Sequence, residues 1–170
     1  MFDKGSRSHL FYKLHALGVS TKFLNFLICI YGSTKFKILS NGEYSNPFET
    51  HTGLKQGCLM SPILFSIYLN NLHEYLEGGL YIDDLNVRLL MYADDIVILS
   101  EDINVLQKMI EKLEEYCEIW NMEVNLEKSA IMMFRNGGRL SSAEKWKYKG
   151  ENVKIVSEYT YLGVIITPKL

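Results

Sequence analysis

Apolar residues recur every three or four positions in several parts of the chain, which is the spacing of an amphipathic helix. Ser6 or Ser8 can cap a first helix that ends at Gly18, and a second helix covers roughly residues 21–31. Because the second helix is apolar on most sides, we expect it to be deeply buried. The apolar face of the first helix consists of Leu10, Phe11, Leu14 and Leu17.

Two longer helical patterns follow in the centre of the chain. One begins with Ser61 at the cap and Pro62 at the first helical position, and it runs to about Glu77. The other begins after Asp102, whose carboxylate can cap it. Its apolar positions alternate spacings of three and four and predict a single core-facing seam, formed by Ile103, Leu106, Ile110, Leu113, Cys117 and Trp120.

Strand-like segments separate these helices. The Asn41-Gly42 pair, between KFKILS and EYSNPFE, predicts a hairpin with a tight type I′ turn. Residues 80–100 form three apolar segments separated by turn residues, and two short strands are predicted at 130–134 and 161–167. Antiparallel hairpins covered by helices indicate an α+β fold.

Composition narrows the class of protein. The chain has 170 residues, of which 48% are hydrophobic and 22% charged, so we expect one globular domain over residues 1–170. The formal net charge of -2 argues against tight autonomous binding to nucleic acid, although a local basic groove is compatible with it. Three widely spaced cysteines favour neither a disulfide scaffold nor a zinc site. With no segment long enough to span a membrane, we expect a soluble intracellular protein whose oligomeric state stays open.

Asp94 and Asp95 stand side by side between two apolar segments. Adjacent carboxylates repel each other and resist burial, so packing does not explain them. If both lie at a turn, they can converge on a hard divalent cation, Mg²⁺ or Mn²⁺. Polymerases use two such ions about 3.5–4 Å apart. The alternative is a solvated hairpin turn, which is how we interpret the similar pair Asp83-Asp84.

Four blocks then occur in the order found in one enzyme family. Tyr92-Ala93-Asp94-Asp95 resembles the Y-A-D-D box of reverse transcriptases, and residues 53–65 resemble their G-x-x-Q-G-x-x-x-S-P-x-L-F block. Residues 125–129, NLEKS, are similar to the N-x-x-K-S block, and residues 161–163, YLG, match the turn near the end of the palm. The chain therefore resembles the palm region of a reverse transcriptase from a non-LTR (LINE-type) retrotransposon.

The resemblance implies an RNA-directed DNA polymerase with an RNA template, a DNA primer and dNTPs as partners. Asp94 and Asp95 would be catalytic and hold Mg²⁺, or Mn²⁺ in its place. The nucleotide and template side would be formed by Gln56, Gly57 and Lys128. The primer side would be formed by Tyr92, Tyr161, Leu162 and Gly163. Burial is an adequate alternative explanation for Tyr92, and a solvated lysine for Lys128.

The N-terminal residues bear on activity. Met1-Phe2-Asp3 resembles the end of the family's D-x-x-x-A-F-D block, so the metal-binding Asp of that block would lie four residues before Met1. Asp3 matches the second Asp, for which capping is the favoured role. We therefore expect a copy truncated at its N-terminus, without fingers or thumb and inactive alone. The alternatives are a non-catalytic module that binds nucleic acid or protein, and a functionless remnant.

Basic and aromatic residues alternate near the C-terminus. Trp146 and Tyr148 are interleaved with a run of lysines that consists of Lys145, Lys147, Lys149 and Lys154. Such a run is typical of a solvated surface, and the alternative is a strip that contacts a nucleic-acid backbone while the rings stack on bases.

Overall fold

Five helices form the framework of the part of the chain that the structure describes. The computed structural model describes residues 5–32, 34–55, 57–135 and 144–168. Ser6 caps the first helix by accepting a hydrogen bond from the His9 amide, and Asp102 caps the longest helix by accepting bonds from two amides, as predicted. The helices are α1 (Arg7–Ala16), α2 (Thr21–Gly32), α3 (Ser61–Leu69), α4 (Leu72–Tyr75) and α5 (Ile103–Ile119).

The helix predicted from Ser61 to Glu77 differs from the prediction in two respects. It is divided into α3 and α4, which are separated at Asn70 and Asn71. Ser61 is the first helical residue and not the cap, because Met60 occupies the cap position without a side-chain hydrogen bond. The Ser61 hydroxyl instead donates to the carbonyl of Lys55 at 2.6 Å. The serine therefore fixes the preceding loop.

Short strands pair mostly as antiparallel hairpins. Asn41 and Gly42 both have positive φ, at 51° and 83°, as the predicted type I′ turn requires. The strands are β1 (Lys35–Phe36), β2 (Leu39–Ser40), β3 (Glu43–Tyr44), β4 (Phe48–Glu49), β5 (Leu80–Ile82), β6 (Leu85–Val87), β7 (Leu89–Tyr92), β8 (Asp95–Ile98), β9 (Ile131–Met132), β10 (Lys147–Tyr148), β11 (Glu151–Asn152), β12 (Ile155–Val156), β13 (Tyr159–Tyr161) and β14 (Val164–Ile166).

The predicted mixture of helices and antiparallel strands is confirmed as a set of small sheets. In the described ranges each sheet has two strands, and the antiparallel pairs are β1–β4, β2–β3, β5–β6, β7–β8, β10–β11 and β13–β14. The pair β9–β12 is parallel. The segment predicted as one strand at 161–167 is instead the end of β13, a turn at Leu162-Gly163, and β14. Positive φ at both turn residues reverses the chain there.

The helices share one main core. Leu10 and Leu14 of α1, Leu27 of α2, and Phe65 of α3 pack together with Tyr116 of α5, and all are buried. A second cluster forms around Trp146 and Tyr148 on the other side of α5. The seam predicted for α5 therefore serves two clusters: its first half faces Trp146, and its second half faces the main core.

Two expectations about burial are wrong. Helix α2 is only half-buried, because Phe23, Phe26 and Ile28 are exposed while its other face packs in the core. Trp146 and Tyr148 are buried core residues, so they are not available to stack on bases. The lysines between them are exposed, which fits strand alternation with one buried face. Among the helices described, none combines the length and apolar character needed to span a bilayer.

Candidate active site

The Asp-Asp box lies at the tip of the β7–β8 hairpin. Tyr92 pairs with Asp95 across the two strands, so Ala93 and Asp94 form the turn between them. Ala93 has φ of 52°, in the left-handed region that costs an L-residue about 1–2 kcal/mol. The turn therefore places Asp94 beyond the last pair of the ladder and Asp95 within that pair. Both carboxylates are exposed to solvent at one end of the hairpin.

Apolar side chains hold this hairpin against the main core. Leu89, Ile96 and Ile98 are partly buried and pack against the core cluster. The Leu99 amide donates to the Arg88 carbonyl at 3.0 Å, which extends the pairing beyond the strand ends. The base of the hairpin is thus attached to the helices while its tip projects into solvent.

Tyr92 does not lie in the core. Its side chain is 64% exposed, and Met91 beside it is 43% exposed. Burial therefore does not explain this tyrosine, and the interpretation that the resemblance implies, a contact on the primer side, stays a prediction. A large apolar surface next to two carboxylates is suited to a partner with both a flat face and a charge.

The donor set at the tip fits a hard divalent cation. Carboxylate oxygens are the ligands that Mg²⁺ and Mn²⁺ prefer, and two exposed carboxylates can each give one ligand. In residues 5–32, 34–55, 57–135 and 144–168 the structure brings together no group of three His, Cys, Asp or Glu side chains. Asp3, the other carboxylate considered from the sequence, lies outside these residues. The pair at Asp94 and Asp95 is thus a two-carboxylate donor set.

The loop that contains the Gln-Gly sequence connects β4 to α3. Gln56 lies outside the described residues, whereas Gly57 is exposed with φ of 79°. A Cβ atom added to Gly57 would meet no atom within 4 Å, so this glycine is required by the backbone conformation and not by crowding. Its open surroundings leave the backbone accessible to a ligand.

Lys128 lies in a compact turn that its neighbours stabilise. The Lys128 amide donates to Asn125 Oδ1 at 3.2 Å, and the Ser129 hydroxyl donates to the Asn125 carbonyl at 2.8 Å. The asparagine and serine of the N-x-x-K-S block thus close the turn on itself. The lysine side chain is exposed.

The structure joins this turn to the β13–β14 hairpin. The Tyr159 hydroxyl donates to the Lys128 carbonyl at 2.9 Å, and Lys154 Nζ donates to the Glu127 carbonyl at 2.6 Å. Lys128 and the hairpin of Tyr161, Leu162 and Gly163 are therefore neighbours. Within the described residues, hydrogen bonds connect Lys128 to that hairpin and not to the Asp-Asp tip.

Sequence reasoning missed Tyr159, and it considered Lys154 only as part of the basic run near the C-terminus. Tyr159 stands two residues before Tyr161 on the same strand, so period-2 alternation puts both side chains on one face. That spacing was a usable signal for Tyr159. The contact of Lys154 with Glu127 depends on the parallel pairing of β9 with β12, which nothing local to either residue indicates.

Comparison with known proteins identifies the family. The family model described as Reverse transcriptase (RNA-dependent DNA polymerase) matches residues 1–166. The chain belongs to the reverse transcriptase family. The four sequence blocks predicted this family, and that prediction is thereby confirmed.

Relatives of this reverse transcriptase chain come from mobile elements. It is 27% identical, over 99% of its length, to the RNA-directed DNA polymerase from mobile element jockey of Drosophila funebris. It is 25% identical, over 98% of its length, to the Pol polyprotein from the retrotransposable element R2DM of Drosophila melanogaster. The chain spans 19% and 17% of the length of these two proteins. The resemblance to polymerases of non-LTR retrotransposons is therefore confirmed at modest identity.

Proposed function

We propose that this chain forms the palm portion of an RNA-directed DNA polymerase, with Asp94 and Asp95 as its metal-binding carboxylates. One observation supports the proposal most strongly: both carboxylates lie exposed at the tip of a hairpin whose base packs against the core. Such a tip holds charged groups at a defined position without burying them. The partners are an RNA template, a DNA primer and a dNTP.

The proposed reaction is attack of the primer 3′-hydroxyl oxygen on the α-phosphorus of the dNTP. A P–O bond to the primer forms and the 3′-hydroxyl proton passes to water. The bond between the α-phosphorus and the oxygen that bridges to the β-phosphorus breaks, and pyrophosphate leaves with the electron pair of that bond. Bound Mg²⁺ or Mn²⁺ would lower the pKa of the 3′-hydroxyl and neutralise charge on the phosphates. Asp94 and Asp95 would hold the cation at the hairpin tip, where Ala93 shapes the turn.

Other residues have positioning roles in this proposal. Gln56 and Gly57 line the nucleotide and template side, where the exposed glycine lets the backbone approach a strand closely. Lys128 stabilises the leaving pyrophosphate by its charge or by donating a proton. The hydrogen bond from the Tyr159 hydroxyl to the Lys128 carbonyl attaches the turn of this lysine to the strand that leads to the primer-side residues Tyr161, Leu162 and Gly163. Tyr92 contacts the primer end with its exposed ring.

Formation of a ternary complex tests the proposal and separates it from a non-catalytic binding module. The chain is mixed with Mg²⁺ and an RNA template annealed to a DNA primer that ends in a dideoxynucleotide, which prevents chemistry. Fluorescence anisotropy then measures primer–template affinity with and without each dNTP. We expect the complementary dNTP, and no mismatched one, to raise the affinity by about tenfold, or about 1.4 kcal/mol.

Matched double variants provide the control. Asp94→Asn with Asp95→Asn should abolish the effect of the complementary dNTP, whereas Asp83→Asn with Asp84→Asn should preserve it. Binding that is weakened by salt but is insensitive to the dNTP and to Asp94 and Asp95 would contradict the proposal, and it would favour a module that only binds nucleic acid.

A further inference from the structure

The connection between β4 and α3 has irregular backbone, and its conformation is set by a residue from another helix. Carbonyl groups in such a segment lack the partners that a helix or sheet ladder supplies, and they need other donors when they are buried. Arg7, in the first turn of α1, is only 8% exposed and points toward this connection. It lies more than 40 residues away in sequence from the carbonyls of the loop that it contacts.

The Arg7 guanidinium donates to four backbone carbonyls. Its Nε donates to Gly53 at 2.9 Å, and its Nη1 donates to Thr50 at 2.7 Å and to Tyr31 at 2.6 Å. Its Nη2 donates to the Thr52 carbonyl at 3.1 Å and to the Thr50 hydroxyl at 3.3 Å. The guanidinium carbon also lies 5.6 Å from the centroid of the Tyr31 ring. One side chain thus fixes three of the four carbonyls between residues 50 and 53, together with the last turn of α2.

Backbone contacts and Tyr31 extend this restraint toward Gly57. The Gly53 amide donates to the Gly5 carbonyl at 2.9 Å, beside Arg7. On the other side of the loop, the Tyr31 hydroxyl lies 3.4 Å from the Ser61 hydroxyl, which in turn donates to the Lys55 carbonyl. The segment is therefore held on both sides of its Gln-Gly sequence.

Only arginine among the side chains can make this set of contacts. Its five N–H donors form a rigid planar fork, so they can reach carbonyls that approach from different directions. A lysine would bring the same charge to one point, with three donors on one nitrogen. Lysine at this position would leave some of the four carbonyls without a donor, and the loop would sample other paths.

We propose that Arg7 is a positioning residue that fixes the path of residues 50–55 and thereby sets where Gly57 meets the nucleotide or template. The first half, the restraint that Arg7 places on residues 50–55, does not depend on what the chain binds. The second half rests on the proposed function. The two halves are tested by different measurements, so that failure of one is distinguishable from failure of the other.

Amide hydrogen exchange of the Arg7→Lys variant tests the first half. We expect exchange of the amides between residues 51 and 58 to become about tenfold faster, because charge-assisted hydrogen bonds that close the loop are lost. Amides in α5 should keep their protection. Arg88→Lys is the matched control, because Arg88 Nη1 donates to the Leu76 carbonyl at 2.9 Å, which lies outside this loop, and the substitution should leave the loop unchanged. Unchanged loop exchange in Arg7→Lys, or an equal loss of protection in α5, would overturn the inference.

If Arg7→Lys does not fold, the hydrogen bonds of Arg7 can be tested in the unsubstituted chain. Nitrogen-resolved NMR should show an Arg7 Nε–H that exchanges slowly with water, with a nuclear Overhauser contact to Gly53. An Nε–H that exchanges at the rate of a free arginine would overturn the inference.

Nucleotide affinity tests the second half. In the primer–template assay above, Arg7→Lys should raise by about tenfold the concentration of complementary dNTP needed for half of the effect and leave Mn²⁺ affinity unchanged, because the loop and not the Asp pair is displaced. An unchanged dNTP effect in a variant whose loop exchanges faster would overturn the positioning role. If the unsubstituted chain shows no dNTP effect, the proposed function fails, and with it the positioning role, while the exchange result still decides the restraint on the loop.

Discussion

Two hairpins in this chain carry adjacent aspartates, and they differ in how those aspartates are used. In β5–β6 the turn consists of Asp83 and Asp84 themselves, and Asp83 has φ of 53°. In β7–β8 the left-handed position is taken by Ala93, with φ of 52°. Aspartate tolerates this conformation because its short polar side chain can bond locally, whereas alanine has no such compensation. The first hairpin therefore has an aspartate at the left-handed position of its turn, and the second has an alanine there, with Asp94 at the next turn position.

The hairpins also differ in their support. Tyr81, Ile82 and Leu85 of β5–β6 are all more than half exposed. Leu89, Ile96 and Ile98 of β7–β8 pack against the main core instead. A turn that accepts a strained alanine, on a hairpin attached to the core, is what a fixed pair of ligands requires. Asp94 and Asp95, and not Asp83 and Asp84, are for this reason the pair that we propose as metal ligands.

The largest expected effect on stability concerns this difference in support. Ile96→Ala should lower the free energy of unfolding by about 1–2 kcal/mol, because it removes packing against the core. Ile82→Ala, on the exposed hairpin, should change it by less than about 0.5 kcal/mol. Chemical denaturation measures both. Equal effects of the two substitutions would mean that β7–β8 is no better supported than β5–β6.

The main core contains a buried charge on Lys13 of α1, which makes the stability of the chain depend on pH. Lys13 Nζ donates to the Tyr68 carbonyl, to Asn71 Oδ1 at 2.5 Å and to the Tyr116 hydroxyl at 2.9 Å, and it lies 3.7 Å from the centroid of the Trp120 ring. Burial is the main cause that lowers the pKa of Lys13 from 10.5 to about 8. The unfolded chain therefore binds more protons than the folded chain between these two values.

Stability should consequently rise with pH in this window. From about pH 7.5 to about pH 9, the Lys13 contribution should increase the free energy of unfolding by about 1 kcal/mol. Buried Tyr68 and Tyr116 do not oppose this, because burial raises the pKa of each and keeps both protonated there. Denaturant unfolding of the unsubstituted chain and of Lys13→Met measures the difference. The same pH slope in both proteins would show that Lys13 is not the group responsible.

The smallest expected effect concerns the two turns. Ala93→Asn should stabilise the chain by about 0.5 kcal/mol, because asparagine tolerates a positive φ better than alanine does. Asp83→Ala should destabilise it by a similar amount for the same reason. Denaturant titration of both variants tests the opposite signs. Changes of the same sign would contradict the account of how the two turns differ.

Local signals in the sequence were sufficient for two helix caps, one tight turn and the tip of the candidate site, although the elements at 61–77 and 161–167 differ from those predicted. The caps at Ser6 and Asp102, and the Asn41-Gly42 turn, depend on neighbouring residues, and all were predicted. The exposed Asp94 and Asp95 at a hairpin turn were likewise readable from the apolar segments around them.

Contacts between distant parts of the chain were not predictable in the same way. Burial of Trp146 and Tyr148 depends on α5 packing against β10, and the exposed face of α2 depends on which neighbours it has. The Tyr159 bond to Lys128 and the Arg7 bonds to the 50–53 carbonyls join segments more than 30 residues apart. Periodicity and turn chemistry carry no information about such pairs.

The central claim is that Asp94 and Asp95, and not Asp83 and Asp84, bind the divalent cation. Paramagnetic NMR with Mn²⁺ tests it most directly, because the experiment shows at which of the two hairpins the ion binds. Trace Mn²⁺ broadens the amide signals nearest to the bound ion, and excess Mg²⁺ should restore them by competition for the same oxygen ligands. The account predicts that amides of residues 92–96 broaden first while those of residues 82–85 persist. Equal broadening at both hairpins, or earlier broadening at Asp83 and Asp84, would contradict it.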